Sequence, residues 1–490
     1  MPVMSRSRVL APLLALLALD CSAGEGGEAG FNSGPAADPS QAADPSQASF
    51  TSGSSGDGPT TTATSTSTGT STSTSTSTGT GSSTGTSSGT SSTGEVSSGT
   101  SDTGSSTGMV ALDCGDGVVQ DGEVCDDGNP DDTDACHSDC TAGVAILAVV
   151  GLGTAPGTAA TFTPGPGWTV SPFQVGVAAA ALASTPEGAM AVVRRTSAKV
   201  EEQNELYYAR WQSEDPALFA IASKVGVFGF AKGTPALAAV ADTVNLTFLG
   251  TDNKHYTGLY TPEVWGPFGK LPAGMVQNQA FGPSPATLAA VAPESYAVYA
   301  GDDGQLYYSH KAGPGSIWEA SSGSPAQTLL SSVSPVAVVD DQGDVVIAYV
   351  RKDGKIALIK LITPANAWSG EVLVHPDALT GSAIALTRLD AGGYALAWRG
   401  FDTQGIYLSL SVGDVFDKWA APQTVEVPKL TSTSPVLVPG VIGAELELLF
   451  TTGSKLRHAR VSGGQIVAPV DIVAIAAATT VAATRVRLAP

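Results

Sequence analysis

Short apolar runs separated by turn-forming residues dominate the chain after residue 143. The runs are rich in β-branched and aromatic residues, and Gly, Pro, Asp and Asn lie between them, which is the pattern of β-strands joined by tight turns. Aligned strand pairs repeat about every 50 residues, most clearly at 284–320 and 334–370. A repeat of this length is typical of propeller blades. The sequence therefore predicts an all-β domain over residues 144–490.

Each repeat is expected to contain four strands. In the copy at 284–320 the innermost strand is predicted at Ala286–Val291, the second at Tyr296–Ala300 and the third at Gln305–His310. The fourth strand is predicted to begin at the tryptophan of the repeat. The second and third strands are joined by turns such as GDDG at 301–304, whose residues suit a tight hairpin.

The two ends of this domain are expected to share one blade. Residues 144–174 contain three predicted strands, Val144–Val150, Ala159–Thr163 and Trp168–Val175, and the chain ends with one unpaired strand, Ala482–Leu488. Pairing them would cover two exposed sheet edges. The six other repeats are predicted to start near Gly176, Thr234, Ser284, Ser334, Gly381 and Ser434. The sequence thus predicts a seven-bladed β-propeller with a 3+1 strand closure.

The N-terminus has the features of an export signal. Arg6 and Arg8 precede an apolar run from Val9 to Leu19, which is too short to cross a bilayer and is typical of a signal peptide. The stretch LALDC at 17–21 resembles a bacterial lipoprotein box, which implies that residues 1–21 are a signal peptide and that Cys21 is lipidated. Cleavage elsewhere would discard Cys21. The expected location is the outer membrane or cell surface.

Residues 22–108 are predicted to form a disordered stalk. The segment from 51 onward is almost entirely Ser, Thr and Gly. Such a segment buries too little apolar area to offset its conformational entropy. As a flexible coil it would reach about 50 Å and hold the β-domain away from a membrane surface.

A small acidic module with four cysteines is expected at 113–141. In an exported chain, Cys114, Cys125, Cys136 and Cys140 indicate two disulfides, with three alternative pairings. The spacing does not suit zinc. The dense carboxylates indicate either screened surface charge or a bound Ca²⁺ ion. The candidate calcium ligands are Asp126, Asp127, Asn129 and Asp131.

Two segments resemble known families. The motif CGDGVVQDGEVCDDGN at 114–129 is similar to a cysteine-rich repeat of myxobacterial surface proteins. The copy VNLTFLGTDNKHYTGLYTPEVWGPFGKL at 244–271 resembles blades of seven-bladed bacterial fucose-binding lectins. This second resemblance implies sugar binding between blades through aromatic faces and polar groups.

Aromatic residues recur at a fixed position in the repeats. Their spacing fits packing between tilted sheets, and the lectin resemblance adds sugar stacking as a second interpretation. The candidate ligand-binding residues are Trp265, Trp318, Trp368, Trp419, His255, His310, Tyr256 and Tyr307.

Charge and motifs narrow the class of function. The formal net charge is −21, which argues against nucleic acid as a partner and restricts membrane contact to a lipid anchor. No P-loop, G-x-S-x-G or H-E-x-x-H motif occurs. Apart from Ca²⁺ in the acidic module, no cofactor is expected.

The sequence predicts an exported, surface-tethered and non-catalytic protein that binds a surface glycan. The alternatives are a protein-binding or structural scaffold and, third, a glycosidase-type propeller enzyme.

Overall fold

A computed structural model describes most of the chain after residue 135. The described residues are 114–116, 118, 120, 123, 125–126, 136–199, 202–212, 219, 222–226, 230–261, 264–266, 268–272, 284–323, 330–363, 365–426 and 433–488. All of them belong to one unit, Thr103–Pro490. The predicted signal peptide with Cys21 and the predicted stalk lie outside the described residues.

The prediction of an all-β fold is confirmed. Apart from 3₁₀ turns at Glu202 and Phe219, every regular element among the described residues is a β-strand, and the strands form six antiparallel sheets. Within the described part of the chain, no helix is long and apolar enough to span a membrane.

Sheet I has seven strands in the order β30-β1-β2-β3-β4-β5-β6. They are β1 (Val144–Leu152), β2 (Ala155–Thr163), β3 (Gly167–Thr185), β4 (Gly188–Thr196), β5 (Leu206–Trp211), β6 (Ser223–Lys224) and β30 (Thr480–Arg487).

The other five sheets follow one another along the chain. Sheet II contains β7 (Ala231–Val240), β8 (Thr243–Gly250), β9 (His255–Thr261), β10 (Val264–Trp265) and β11 (Gly269–Lys270). Sheet III contains β12 (Thr287–Val291), β13 (Glu294–Ala300), β14 (Leu306–Lys311) and β15 (Ser322–Gly323). Sheet IV contains β16 (Val336–Val339), β17 (Val345–Val350), β18 (Ile356–Ile362), β19 (Ala367–Trp368) and β20 (Val372–Leu373). Sheet V contains β21 (Ala385–Arg388), β22 (Tyr394–Arg399), β23 (Ile406–Leu410) and β24 (Gln423–Glu426). Sheet VI contains β25 (Val436–Pro439), β26 (Leu446–Thr452), β27 (Lys455–Ser462), β28 (Gln465–Ile466) and β29 (Val470–Ala476).

Sheet I joins the beginning and the end of the domain. β30 pairs antiparallel with β1, so that Val144 lies opposite Arg487 and Gly151 opposite Thr480. β3 is 19 residues long; its first part pairs with β2 and its second part with β4. The last strand therefore completes a four-stranded group with β1, β2 and the first part of β3.

The turns between the second and third strands of sheets II to IV have the backbone that their residues favour. Asn253, Gly304 and Gly354 occupy the same turn position, and all three have a positive φ; the turn of sheet V is one residue longer, and Gln404 has the positive φ there. Glycine and asparagine adopt this left-handed region at little cost. The turn residues thus set the position of each hairpin.

Each hydrophobic core cluster but one lies between neighbouring sheets. Tyr296 and Val298 of sheet III pack with Ile347 and Ile359 of sheet IV. Similar clusters join sheets I to II, II to III, IV to V, V to VI and VI to I. Because the middle strands are covered on both faces, they are apolar throughout rather than alternating, as in VVIAYV of β17.

The innermost strands of all six sheets surround two central cavities. One cavity, of 500 Å³, is lined mainly by small and apolar side chains. The second, of 540 Å³, shares Leu182, Leu237 and Leu288 with the first and is bordered by Asp341 and Arg388. Arg388 forms an ion pair with Asp341 at the border of this second cavity.

The fourth-strand prediction is wrong in sheets III and V. In these sheets Trp318 and Trp419 precede the short outer strands, β15 and β24, instead of beginning them. In sheets II and IV the tryptophan lies in a two-residue strand, β10 or β19.

The structure contains one of the two predicted disulfides, Cys125–Cys136. Cys114 and Cys140 are unbridged thiols. Burial raises the pKa of the Cys140 thiol, and hydrogen bonds with Cys114 and Glu123 raise it further. Since the two thiols contact each other, a second disulfide would join Cys114 to Cys140, which stays a prediction.

The predicted calcium ligands are described only in part. The Asp126 carboxylate accepts hydrogen bonds from the backbone N–H groups of Gly115 and Asp116, both at 3.2 Å. Asp127, Asn129 and Asp131 lie outside the described residues. The described residues contain no group of three His, Cys, Asp or Glu side chains that could hold a metal ion. The calcium site stays a prediction.

Candidate functional site

A stacked aromatic pair stands beside the turn between the second and third strands of three sheets. The tyrosine of the third strand lies parallel to an aromatic ring of the second strand. The pairs are Tyr256 on Phe248 (5.4 Å between centroids), Tyr307 on Tyr299 (5.7 Å) and Tyr407 on Trp398 (5.8 Å).

The hydroxyl groups of these tyrosines are held by the adjacent turns. Tyr256 donates to Asp252 (2.9 Å) and Tyr307 to Asp303 (2.7 Å). Burial, together with Asp252, raises the pKa of Tyr256. The hydrogen bond to Asp303 and then burial raise the pKa of Tyr307 to about 12. Both phenols therefore stay protonated and stabilise the hairpin turns. Two of the residues predicted to bind ligand thus have structural hydrogen bonds.

Sheet IV fills the same space with charges instead of rings. In sheet III, a Cβ atom on Gly301 would lie 2.7 Å from the Tyr307 ring, so the stacked arrangement requires glycine there. In sheet IV the corresponding residues are Arg351 and Ala357. The Arg351 guanidinium lies 3.0 Å from Glu371 and 3.1 Å from Asp353.

The four predicted tryptophans are half-buried between sheets. Trp265 packs at 5.7 Å from Tyr208 of sheet I and at 5.3 Å from Tyr260. Trp368 packs at 5.5 Å from Tyr308 of sheet III. The Trp419 indole donates to the Phe416 carbonyl at 2.8 Å, and Trp318 lies 5.8 Å below the Lys311 ammonium. Their positions agree with packing between sheets; a role in ligand binding stays a prediction.

Replacing Trp265 by alanine is expected to lower the free energy of unfolding by about 2 kcal/mol, because a half-buried ring would leave a gap between two sheets. Chemical denaturation of the full chain measures this. Ile317→Ala is the control, since Ile317 is fully exposed and its loss should cost less than about 0.5 kcal/mol. Unchanged stability with weakened sugar binding would instead favour the ligand-binding interpretation of Trp265.

The two predicted histidines lie in different surroundings. His255 is fully buried beside the Tyr299 ring, at 4.5 Å between centroids, and neither ring nitrogen has a hydrogen-bond partner. His310 lies between two carboxylates, with Nε2 at 3.3 Å from Glu294 and Nδ1 at 3.2 Å from Glu319. The structure does not bring His255 and His310 into one site.

A cleft of 450 Å³ lies between sheets IV and V and contains none of the eight candidate ligand-binding residues named from the sequence. The stacked pair Trp398 and Tyr407 forms one wall. The complete lining consists of His375, Asp377, Leu379, Trp398, Gly400, Phe401, Asp402, Thr403, Tyr407, Ala421 and Pro422.

Phe401 is the most distinctive residue of this cleft. Its side chain is 64% exposed, although its backbone is fixed by a hydrogen bond from its N–H to the Leu379 carbonyl at 3.1 Å. The ring lies over Gly381, where an added Cβ would come within 3.2 Å of it. An aromatic ring held in this way offers a flat apolar surface to a ligand.

Polar groups surround the ring. The backbone N–H of Asp377 donates to His375 Nδ1 at 3.2 Å, so the ring proton of His375 is on Nε2. The Asp377 side chain is 89% exposed. Asp402 and Thr403 follow Phe401 in the turn, and Thr403 Oγ1 lies 3.0 Å from the Tyr407 hydroxyl. The cleft thus combines an aromatic face with hydrogen-bonding groups on its rim.

Sequence reasoning missed this cleft, although one signal was present. The turns between the second and third strands begin at Gly250, Gly301, Arg351 and Gly400. The residue that follows is Thr251, Asp302 and Lys352 in sheets II to IV, but Phe401 in sheet V. An aromatic residue at an otherwise polar turn position indicates exposure for a purpose other than packing.

No protein-family model matches the chain, and no curated protein matches it. Solved structures to which it is similar include AofleA from Arthrobotrys oligospora, with 13% identity, coverage of 65% of this chain and 91% of that one, and a TM-score of 0.42. Another is the Aleuria aurantia lectin, a six-bladed β-propeller that recognises fucose, with 16% identity, coverage of 60% and 94%, and a TM-score of 0.40. A third is an ulvan lyase of polysaccharide lyase family PL25, with 11% identity, coverage of 68% and 92%, and a TM-score of 0.48.

These likenesses are too distant to transfer a function to the chain. They nevertheless require one correction. The prediction that the chain is not an enzyme is wrong, because it excluded an activity that remains open: the similar structures include a polysaccharide lyase as well as lectins.

Proposed function

We propose that the chain is a carbohydrate-binding protein and that the cleft between sheets IV and V is its binding site. The observation that carries this proposal is the exposed Phe401 ring, which lies over Gly381 on a cleft of 450 Å³ rimmed by His375, Asp377 and Asp402. The C–H face of a sugar packs on an aromatic ring, while carboxylates and imidazoles bind its hydroxyls. A pocket with an apolar surface and a few directed polar groups is the usual form of a small-ligand site.

The proposed scaffold is a closed seven-bladed propeller. Sheet I would contribute two blades that share β3, and sheets II to VI one blade each. Support comes from the pairing of β30 with β1 and from the core clusters that link each sheet to the next. The central cavity adds further support, because seven inner segments line it.

The proposed location rests on the sequence. Residues 1–21 would direct export, lipidated Cys21 would anchor the chain at the outer membrane or cell surface, and residues 22–108 would act as the tether. The partner would then be a glycan that approaches from outside the cell.

The test is a glycan array followed by titration of the full chain with the sugars that bind. Phe401→Ala is expected to weaken binding about tenfold, which corresponds to the loss of a stacking contact of about 1.4 kcal/mol. Ile317→Ala is the matched control, because Ile317 is also an exposed apolar residue but lies outside the cleft.

Two outcomes would contradict the proposal. A folded protein that binds no glycan would leave protein recognition or a structural role. Undiminished sugar binding by the Phe401 variant would move the site elsewhere, first to the predicted tryptophans.

A further inference from the structure

We infer that this cleft selects sugars that carry a free, protonated amino group over neutral and anionic sugars. The inference rests on the proposed function and concerns the ligand class of the same site. It depends on the charges that line the cleft and on how the equivalent carboxylates of other sheets are used.

Apart from the titratable His375, the charged side chains among the described residues that line the cleft are of one sign. Its acidic side chains are Asp377 and Asp402, and none of the described residues that line it is Lys or Arg. Asp377 extends into solvent, with its carboxylate 3.8 Å from the nearest nitrogen of His375. An anionic sugar would therefore enter a field of like charge, whereas an ammonium group would enter a favourable one.

At each corresponding turn of sheets II to IV, one carboxylate is already engaged. In sheet IV, Asp353 lies 3.1 Å from Arg351. In sheets II and III, Asp252 and Asp303 accept the hydroxyl groups of tyrosines. In sheet V, Thr403 takes over the contact with the tyrosine hydroxyl. The acidic residue of this turn, Asp402, is therefore not needed to hold the tyrosine.

The aromatic ring strengthens the same preference. An ammonium group near the face of an aromatic ring gains cation–π attraction. An exposed carboxylate pair adds a similar amount that salt screens. Together they favour an amino sugar over its neutral counterpart by about tenfold.

The experiment compares two oligosaccharides that differ only in this group. The full chain is titrated at slightly acidic pH with the tetramer of N-acetylglucosamine and with the fully deacetylated tetramer of glucosamine. In low salt, the deacetylated tetramer is expected to bind about tenfold more tightly, and high salt should reduce the difference.

Variants distinguish the effect of the two carboxylates from the effect of the Phe401 ring. The double variant Asp377→Asn with Asp402→Asn is expected to abolish the preference, because the deacetylated tetramer then loses more affinity than the acetylated tetramer, which loses only the carboxylate contacts to its hydroxyls. Phe401→Ala should weaken both ligands. Asp417→Asn, an exposed carboxylate of sheet V outside the cleft, is the control and should keep the preference.

The outcomes distinguish the two levels of the proposal. Equal binding of both tetramers, or a preference that survives in the double asparagine variant, overturns the charge selectivity and leaves carbohydrate binding in place. Failure of the folded chain to bind either tetramer or any arrayed glycan overturns both.

Discussion

Replacing Glu447 by alanine is expected to lower the free energy of unfolding by about 3–5 kcal/mol. The Glu447 side chain is fully buried in sheet VI. Its carboxylate lies 2.7 Å from His458 Nε2 and 3.0 Å from Arg460 Nε. Without it, the buried His458 would lose its carboxylate partner, while the partly exposed Arg460 would keep its hydrogen bonds to the carbonyls of Val441 and Ile442.

The same network connects sheet VI to sheet I. The Trp168 indole N–H lies 3.3 Å from His458 Nδ1. An indole only donates, so Nδ1 is the acceptor and Nε2 carries the ring proton toward Glu447. The Trp168 ring also packs edge-on against His458, at 5.4 Å. Loss of Glu447 would therefore loosen the joint between the last sheet and the first.

Chemical denaturation of the full chain measures the effect. Asp471→Ala is the matched control in the same sheet, since Asp471 pairs with Lys455 and Arg457 near the surface. Exposed pairs of this kind contribute less than about 1 kcal/mol. Similar losses in both variants would show that the buried network does not stabilise the joint.

Acid is expected to destabilise the protein through His255. Burial lowers the pKa of His255 from its usual 6.5 to about 4. As the pH falls from about 6.5 to 4, the unfolded chain takes up a proton at this residue and the folded chain does not. The free energy of unfolding should therefore fall by about 3 kcal/mol across this interval.

His255→Leu tests the assignment. The variant should be at least as stable as the natural protein at neutral pH, because no polar atom is then buried without a partner. Its loss of stability between neutral pH and pH 4 should be smaller by about 3 kcal/mol. Removing the half-exposed His375 in the same way is the control. An unchanged acid dependence in the His255 variant would assign the acid sensitivity to other groups.

Much of the fold was accessible from the sequence because it is periodic. Each repeat has strands of similar length, similar turn residues and similar buried positions. A strand that is unclear in one repeat can therefore be placed by comparison with the other repeats. The predicted strand at Tyr296–Ala300 lies within β13, and the predicted C-terminal strand overlaps β30. The outer strands were less predictable, since all but β29 are only two to four residues long and carry little pattern.

The candidate cleft was not predicted for the converse reason. Its residues depart from the repeat, and they come from two sheets. His375 and Asp377 lie in the connection after β20, whereas Phe401 lies in the turn after β22. These residues become neighbours only because sheets IV and V are adjacent in the fold. The tryptophans recur because they pack between sheets. A search for recurring residues therefore identifies core positions and does not identify Phe401, which has no equivalent in the other repeats.

The pairing of β30 with β1 has a consequence for the order in which the chain acquires its structure. β1 is an inner strand of sheet I, but its partner is synthesised roughly 300 residues later. At the usual rate of translation this delay is roughly 15 to 60 s. Sheet I therefore stays incomplete while the five other sheets emerge from the ribosome. The strand made last decides when the part made first is finished.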